Sequence, residues 1–244
     1  MMRKRALLPL GLLVSLVIAT TCESIEGIVP PFYSGKEIRA TVVDAATGQS
    51  IEGAVVVVVW ELRTISGEGP RLQVVEALTD AQGVFVTPAW GPKLRPPLAH
   101  AANNCPFLMI FKSAYVPVEL HNASKRDFAR LRAMTKLTAA QIDYRRPGID
   151  GNPYDSTQES LWDGMAIRVE PFRGTPEDWF RHLENIRISA GWRDVGRMRR
   201  FYEALRAERE YFKARRVDPD KILPDLVESF FINIDNQLKR ARAN

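Results

Sequence analysis

The fold is decided by residues 54–62, AVVVVVWEL, in which five consecutive valines precede Trp60. The run is too short to cross a membrane as a helix, which takes about 20 apolar residues. β-Branched residues favour strands over helices, and Gly53 on one side and residues 66–70 on the other have the composition of turns. Because the run from Val55 to Trp60 has no polar position, we predict a central strand that is covered on both faces.

Six further runs predict short strands around this central one. They are residues 37–44, 71–80, 83–90, 107–112, 115–121 and 165–172. The turn DAQG between Asp80 and Gly83 predicts that the runs on either side of it form a hairpin. Pro117 cannot donate a backbone hydrogen bond and therefore favours a sheet edge for its run. Several short strands separated by turns are typical of a two-sheet sandwich.

The C-terminal part of the chain has helical patterns. Thr175 and Pro176 are typical of an N-cap and a first helical residue, and a second start is predicted at Asp218. Apolar residues recur at three- and four-residue steps on two helix faces, namely Trp179, Leu183 and Ile186, and Leu223, Val227, Phe230 and Ile234. Such wide apolar faces are not left in water, so we expect them to cover each other or a face of the sandwich.

The N-terminus is typical of an export signal. Basic residues Arg3–Arg5 precede an apolar stretch, Ala6–Ala19, that is too short to span a bilayer. The formal net charge of the whole chain is +5, and removal of these three basic residues leaves about +2. Because tight binding to nucleic acid depends on a strong positive field, we predict no nucleic-acid partner.

The segment LVIATTC, residues 16–22, resembles the lipobox of bacterial lipoproteins, with Thr21 where that family usually has Gly, Ala or Ser. The resemblance implies lipid attachment at Cys22 and a membrane as partner. Glu23 and Ser24 lack the Asp that retains such proteins at the inner membrane, which favours the outer membrane, facing the periplasm. The alternative is ordinary cleavage after Ala19, which leaves a periplasmic protein in which Cys22 could pair with Cys105.

A second resemblance covers residues 37–118. The chain is similar to the carboxypeptidase regulatory-like domain, a prealbumin-like (transthyretin-like) fold, at Val42, Val43, Asp44, Thr47, Gly48, Ile51, Gly53, Ala54, Thr79, Asp80, Gly83 and Phe85. Ser50 stands where that family usually has Pro. The resemblance implies a seven-stranded prealbumin-like β-sandwich followed by a C-terminal α-helical segment. Such domains are commonly accessory modules, so the resemblance implies little about activity.

Known catalytic patterns are not found in the sequence. His100, His121 and His182 are followed three residues later by Asn, Ser and Asn, where the zinc peptidases that often accompany such domains have Glu. The sequence has no Gly-x-Ser-x-Gly elbow. We therefore predict no enzyme activity, no catalytic residue, no metal and no cofactor. The alternative is an exported enzyme with a site in the long loops 91–106 or 143–160.

These observations predict the following organisation: a signal peptide at 1–21, a tether at 22–36, a sandwich at 37–172 with a loop and helix insertion at 122–163, and a helical segment at 173–244. The predicted function is that of a non-catalytic cell-envelope lipoprotein, a binding or structural module. Its predicted partners are the membrane and an envelope protein.

Overall fold

The computed structural model describes residues 29–102, 105–122, 156–215, 217–218, 220–222 and 224–243. These residues are mainly β-structure followed by a helical segment, which confirms the predicted fold class. The strands are β1 Phe32–Gly35, β2 Ile38–Asp44, β3 Val55–Thr64, β4 Gly67–Leu78, β5 Val84–Thr87, β6 Trp90–Leu94, β7 His100–Ala101, β8 Phe107–Phe111, β9 Val118–His121, β10 Thr157–Gln158 and β11 Ala166–Val169. The α-helices are α1 Pro176–Ala190, α2 Arg199–Ala207, α3 Arg209–Lys213 and α4 Pro224–Ala243, with a 3₁₀-helix at Val195–Met198 between α1 and α2.

Two sheets form a sandwich. The larger has the order β4-β3-β8-β9, with β7 also paired to β3, and the smaller has the order β11-β2-β5. β9, which follows Pro117, is an edge strand as predicted. A third sheet of order β10-β1-β6 lies beside them. The sandwich places β3 in the middle of the molecule, between a sheet on one side and helices on the other.

The side chains of β3 divide between two cores. Val56, Val58 and Trp60 pack between the two sheets with side chains such as Phe85. Val55, Val57 and Val59 pack on the opposite face, against the helical segment. Every residue from Val55 to Trp60 is at most 5% exposed. The predicted central strand, covered on both faces, is therefore confirmed.

The helical segment is the second cover of the larger sheet. α1 begins at a capping box, in which Thr175 accepts a hydrogen bond from the Asp178 backbone while the Asp178 carboxylate accepts one from the Thr175 backbone. Its apolar face, with Trp179 and Leu183, packs in one core with Phe111 of β8 and Phe231 of α4. The prediction that the helices cover a sandwich face is confirmed.

The predicted hairpin at DAQG is wrong. β4 pairs with β3 in the larger sheet, whereas β5 pairs with β2 in the smaller one. The turn therefore carries the chain from one sheet to the other. The physical reason is burial: pairing with β2 places Phe85 in the core between the sheets, where it is 1% exposed.

Four short strands were not predicted, so the described residues hold eleven strands instead of seven. β1 lies in the predicted tether 22–36, and β10 lies in the predicted loop 143–160. The predicted loop 91–106 contains all of β7 and most of β6. β1 pairs with β6 and β10, so its hydrogen-bond partners are distant in sequence. Local composition does not reveal such pairings, because these stretches are rich in Pro and Gly, which are typical of loops.

One difference concerns the last helix, and several predictions fall on residues that the structure does not describe. The last helix begins at Pro224 and not at Asp218, whose backbone N–H instead donates to Glu177 (2.7 Å). Leu223, Cys22 with the signal segment, and residues 123–155 of the predicted insertion lie outside the described residues. No described helix is both long enough and apolar enough to span a membrane.

Replacement of Trp60 by Ala tests the core between the sheets. Trp60 is 2% exposed and meets Trp90 edge to face at 5.4 Å between ring centroids. We expect Trp60→Ala to lower the free energy of unfolding by about 3–5 kcal/mol, because burial is lost and a cavity is left. Denaturant unfolding measures the change. The control is Ile65→Ala, at a residue that is 87% exposed, which should change stability by less than about 0.5 kcal/mol.

Truncation after Pro171 tests the second cover. Loss of the helices would expose the face formed by Val55, Val57, Val59, Phe107 and Met109. We expect the truncated chain to aggregate and to have a lower melting temperature, because an apolar sheet face of this size is not stable in water. Size-exclusion chromatography and thermal unfolding measure both effects. A soluble fragment with an unchanged melting temperature would show that the helices are an independent module.

Candidate functional site

A cleft of about 400 Å³ opens at the end of the larger sheet, beside the end of α1. Its walls come from β3, β4, β9 and the residues at the C-terminal end of α1, and include Glu61, Arg71, Glu119, His121 and Trp192. The size falls in the range of small-molecule sites, about 300–1,000 Å³. Since α1 ends at Ala190, the helical layer stops there and leaves this part of the sheet uncovered.

The alternation of β3 brings charged groups into the cleft. Val55, Val57 and Val59 face the helices, and Glu61 and Arg63, which continue the alternation, line the cleft. Glu61 pairs across the sheet with Arg71 of β4. The same face of the sheet is therefore apolar under the helices and charged beyond them.

Arg71 connects the sheet to the end of α1. Its guanidinium donates to the backbone oxygens of Ala190 and Ser189 (3.1 Å to Ser189) and lies 3.7 Å from the Asp194 carboxylate. The last carbonyls of a helix have no partner within the helix and carry a partial negative charge, which a cation stabilises. Arg71 therefore has a structural role, and its hydrogen-bonding groups are largely occupied.

Glu119 connects β9 to α1 in a similar way. Its carboxylate accepts hydrogen bonds from the His121 Nε2 (2.8 Å) and from the Ser189 hydroxyl. Burial acts to raise the pKa of Glu119, but these hydrogen bonds outweigh burial and hold the pKa below its ordinary value. Ser189 thus donates to a carboxylate and not to an imidazole, an arrangement that differs from the Ser-His-Asp triad of hydrolases.

Glu61 is different from its neighbours. Its side chain is half-buried in the cleft wall, and no described residue forms a hydrogen bond or an ion pair with its carboxylate. Burial raises the pKa of Glu61 above its ordinary value, and the positive charge of Arg71 only partly opposes this. A carboxylate without a partner in such a place is costly in free energy.

Cys105 is the second of the two cysteines in the sequence. It has no disulfide partner among the described residues and is buried at the edge of the cleft, where its sulfur accepts a hydrogen bond from the Glu61 backbone N–H (3.1 Å). Burial raises the pKa of this thiol far above its ordinary value, so it is not a reactive thiolate. Because Cys22 lies outside the described residues, both its predicted lipidation and its alternative pairing with Cys105 stay predictions.

The three histidines occupy different surroundings. His121 lines the cleft, His100 pairs with Arg63 across β7 and β3, and His182 on α1 packs edge to face against Phe172 at 5.8 Å. The described part of the chain contains no group of three or more His, Cys, Asp or Glu side chains placed to hold a metal ion.

A second cavity, of about 380 Å³, lies between α3 and α4. Its walls include the apolar side chains of Phe212, Val227 and Phe231. Two of its basic side chains already have partners in the helical segment, since Arg209 bonds to Asp235 (2.8 Å) and Arg215 lies 4.0 Å from the centre of the Tyr211 ring. The first cleft is the better candidate site because it holds a carboxylate without such a partner.

Comparisons with known proteins give no family for this chain. No model of a protein family and no curated protein sequence matches it. Among solved structures, it is similar to an intradiol ring-cleavage dioxygenase from Tetranychus urticae (13% identity, TM-score 0.29, 63% of this chain and 87% of that one). It is also similar to the C-terminal domain of the shaft pilin spaA from Lactobacillus rhamnosus GG (11% identity, TM-score 0.21, 59% of this chain and 100% of that one).

Sequence reasoning did not find the cleft. Of the predicted loop 91–106, Ala102 and Cys105 reach it, but neither supplies a nucleophile. Glu61, Arg71 and Glu119 have the appearance of ordinary surface charges in the sequence. The one available signal was the alternation of β3, which places Glu61 on the same face as Val57 and Val59.

Replacement of Glu61 by Gln tests whether the ionised carboxylate destabilises the folded protein. Because the pKa of Glu61 is higher in the folded protein than in the unfolded chain, this group lowers the free energy of unfolding where it is ionised. The free energy of unfolding is therefore unaffected below the unfolded-state pKa of about 4.3, and it falls as the pH rises through the folded-state pKa. We therefore expect Glu61→Gln to raise the melting temperature at about pH 8 and to leave it unchanged at about pH 4. Glu52→Gln, at an exposed residue near the opposite end of β3, is the control. A lower melting temperature of Glu61→Gln at the higher pH would contradict the expectation.

Proposed function

We propose that this protein is a cell-envelope lipoprotein, anchored through Cys22, that acts as a non-catalytic binding module. The order of the N-terminal residues supports the anchor: Arg3–Arg5, then Ala6–Ala19, then Cys22. The sandwich is then a carboxypeptidase regulatory-like, prealbumin-like module that the anchor holds at a membrane, which we propose to be the outer one, facing the periplasm. The motif residues at 42–54 and 79–85 support that assignment.

The binding role is supported by the contacts of the polar groups in the cleft: most of them have structural partners, and Glu61 has none among the described residues. Arg71 and Glu119 hold the helical layer on the sheet, and the Cys105 thiol is buried and protonated. These groups are fixed by structural contacts and form no pair of nucleophile and general base. Glu61 is the half-buried carboxylate that such contacts leave without a partner among the described residues. A cleft of this kind is suited to hold a ligand and not to transform it.

Labelling with a fatty acid tests the anchor. We expect the wild type to incorporate radiolabelled palmitate and to partition into detergent, because each buried CH₂ of an acyl chain contributes about 0.8 kcal/mol and two or more chains anchor stably. Cys22→Ser should carry no label and stay in the aqueous phase, whereas Cys105→Ser, the matched control, should keep the label. Membrane fractionation of Glu23→Asp tests the site of anchoring, since the added Asp should retain the protein at the inner membrane.

A wild type that carries no label and begins at Thr20 would contradict the anchor. In that case we expect the alternative, a disulfide between Cys22 and Cys105. A mobility shift on a non-reducing gel, lost in Cys105→Ser, would show that Cys22 and Cys105 are paired.

A further inference from the structure

The interior of the cleft is negatively charged. Glu61 and Glu119 are both partly buried in its walls, and the C-terminal end of α1 contributes a partial negative charge. Arg71 is the buried cation among them, and it is already engaged with the Ser189 and Ala190 carbonyls and near Asp194. The interior is therefore suited to a positively charged group, and the Glu61 carboxylate is free to receive it.

The mouth of the cleft carries net positive charge. Its exposed charged residues are the cations Arg63 and Arg193 and the anion Glu68, which lies across the sheet from Arg63. Arg193 makes one weak hydrogen bond, 3.3 Å from its Nη1 to the Gly69 oxygen. Guanidinium groups with unused N–H donors bind carboxylates and phosphates well. A ligand that reaches from the interior to the mouth thus meets the Glu61 carboxylate first and then a mouth where two cations face one carboxylate.

The side chains that line the cleft favour an organic cation over a metal ion. A metal ion in a protein takes several oxygen, nitrogen or sulfur ligands, and the described residues offer no group of three. An organic ammonium needs only one carboxylate partner, which Glu61 supplies here. A cavity of about 400 Å³ is large enough for a small organic molecule.

We infer that the cleft binds a small zwitterionic molecule, with its ammonium group against Glu61 and its anionic group at Arg63 and Arg193. This inference rests on the proposed binding function. It assigns the ligand a chemical class, an amine that also bears a carboxylate or a similar anion. It also assigns Glu61 the role of the specificity-determining residue.

Calorimetry with three probes of similar length tests the inference. The probes are 6-aminohexanoate, which has both charges, pentylamine, which has the ammonium alone, and hexanoate, which has the carboxylate alone. They are titrated at low salt into the full chain, made as the Cys22→Ser variant so that no lipid is attached. We expect 6-aminohexanoate to bind at least tenfold more tightly than either single-charge probe.

Variants then test the assigned contacts. Glu61→Gln, which keeps the shape of the side chain, should weaken 6-aminohexanoate at least tenfold and hexanoate hardly at all. Arg63→Gln with Arg193→Gln should weaken 6-aminohexanoate but not pentylamine. Glu52→Gln, outside the cleft, should bind as the wild type does. Thermal unfolding of each variant confirms that it is folded.

Three results would overturn the inference: no measurable binding of 6-aminohexanoate, hexanoate binding as tightly as 6-aminohexanoate, or wild-type affinity in Glu61→Gln. These results are distinct from failure of the lipid anchor. A chain that carries the fatty-acid label but shows no Glu61-dependent binding has the anchor without this ligand class. A chain that binds 6-aminohexanoate through Glu61 but carries no label has the ligand class without the anchor.

Discussion

Because β3 carries apolar side chains on both faces, the sheet around it must be covered twice. Val56 and Val58 require the smaller sheet, and Val55, Val57 and Val59 require a layer on the opposite side. A two-sheet sandwich alone would satisfy only the first requirement. The helical segment is therefore part of the same fold as the sandwich, since its apolar faces and the second face of β3 bury each other.

Polar contacts then fix where the helices lie on the sheet. Along β4, Arg71 donates to carbonyls at the C-terminal end of α1, and the Glu76 carboxylate accepts hydrogen bonds from the backbone N–H groups of Arg200 (3.1 Å) and Phe201 (2.8 Å) at the start of α2. A cation thus meets the negative end of one helix, and an anion meets the positive end of the next. Hydrophobic burial is not directional, so contacts of this kind determine the register in which the helical layer docks. The same register determines where the layer stops, and so where the cleft opens.

The fold could be predicted from sequence where the signal is local. The five valines of β3, the helix start at Thr175 and Pro176 and the edge position after Pro117 each depend on residues close together in the chain. The failures concern partners distant in sequence. β5 leaves its neighbour β4 to pair with β2, and β1 pairs with β6 and β10 although its own composition indicates a tether. The cleft is of the same kind, since Glu61, Glu119 and Ser189 meet only after the sheet and α1 have docked.

At Glu61, one strand passes from the core to the proposed binding cleft. The alternation that buries Val55, Val57 and Val59 under the helices places Glu61 on the same face, one step beyond the end of α1. A leucine at this position would extend the core, whereas a half-buried carboxylate without a partner opposes folding. Sequences keep such locally unfavourable groups mainly at functional sites, because the free energy they cost the empty protein returns when a group of opposite charge binds. Among the described residues, the position of Glu61 thus makes the end of the apolar face the part best suited to recognise a ligand.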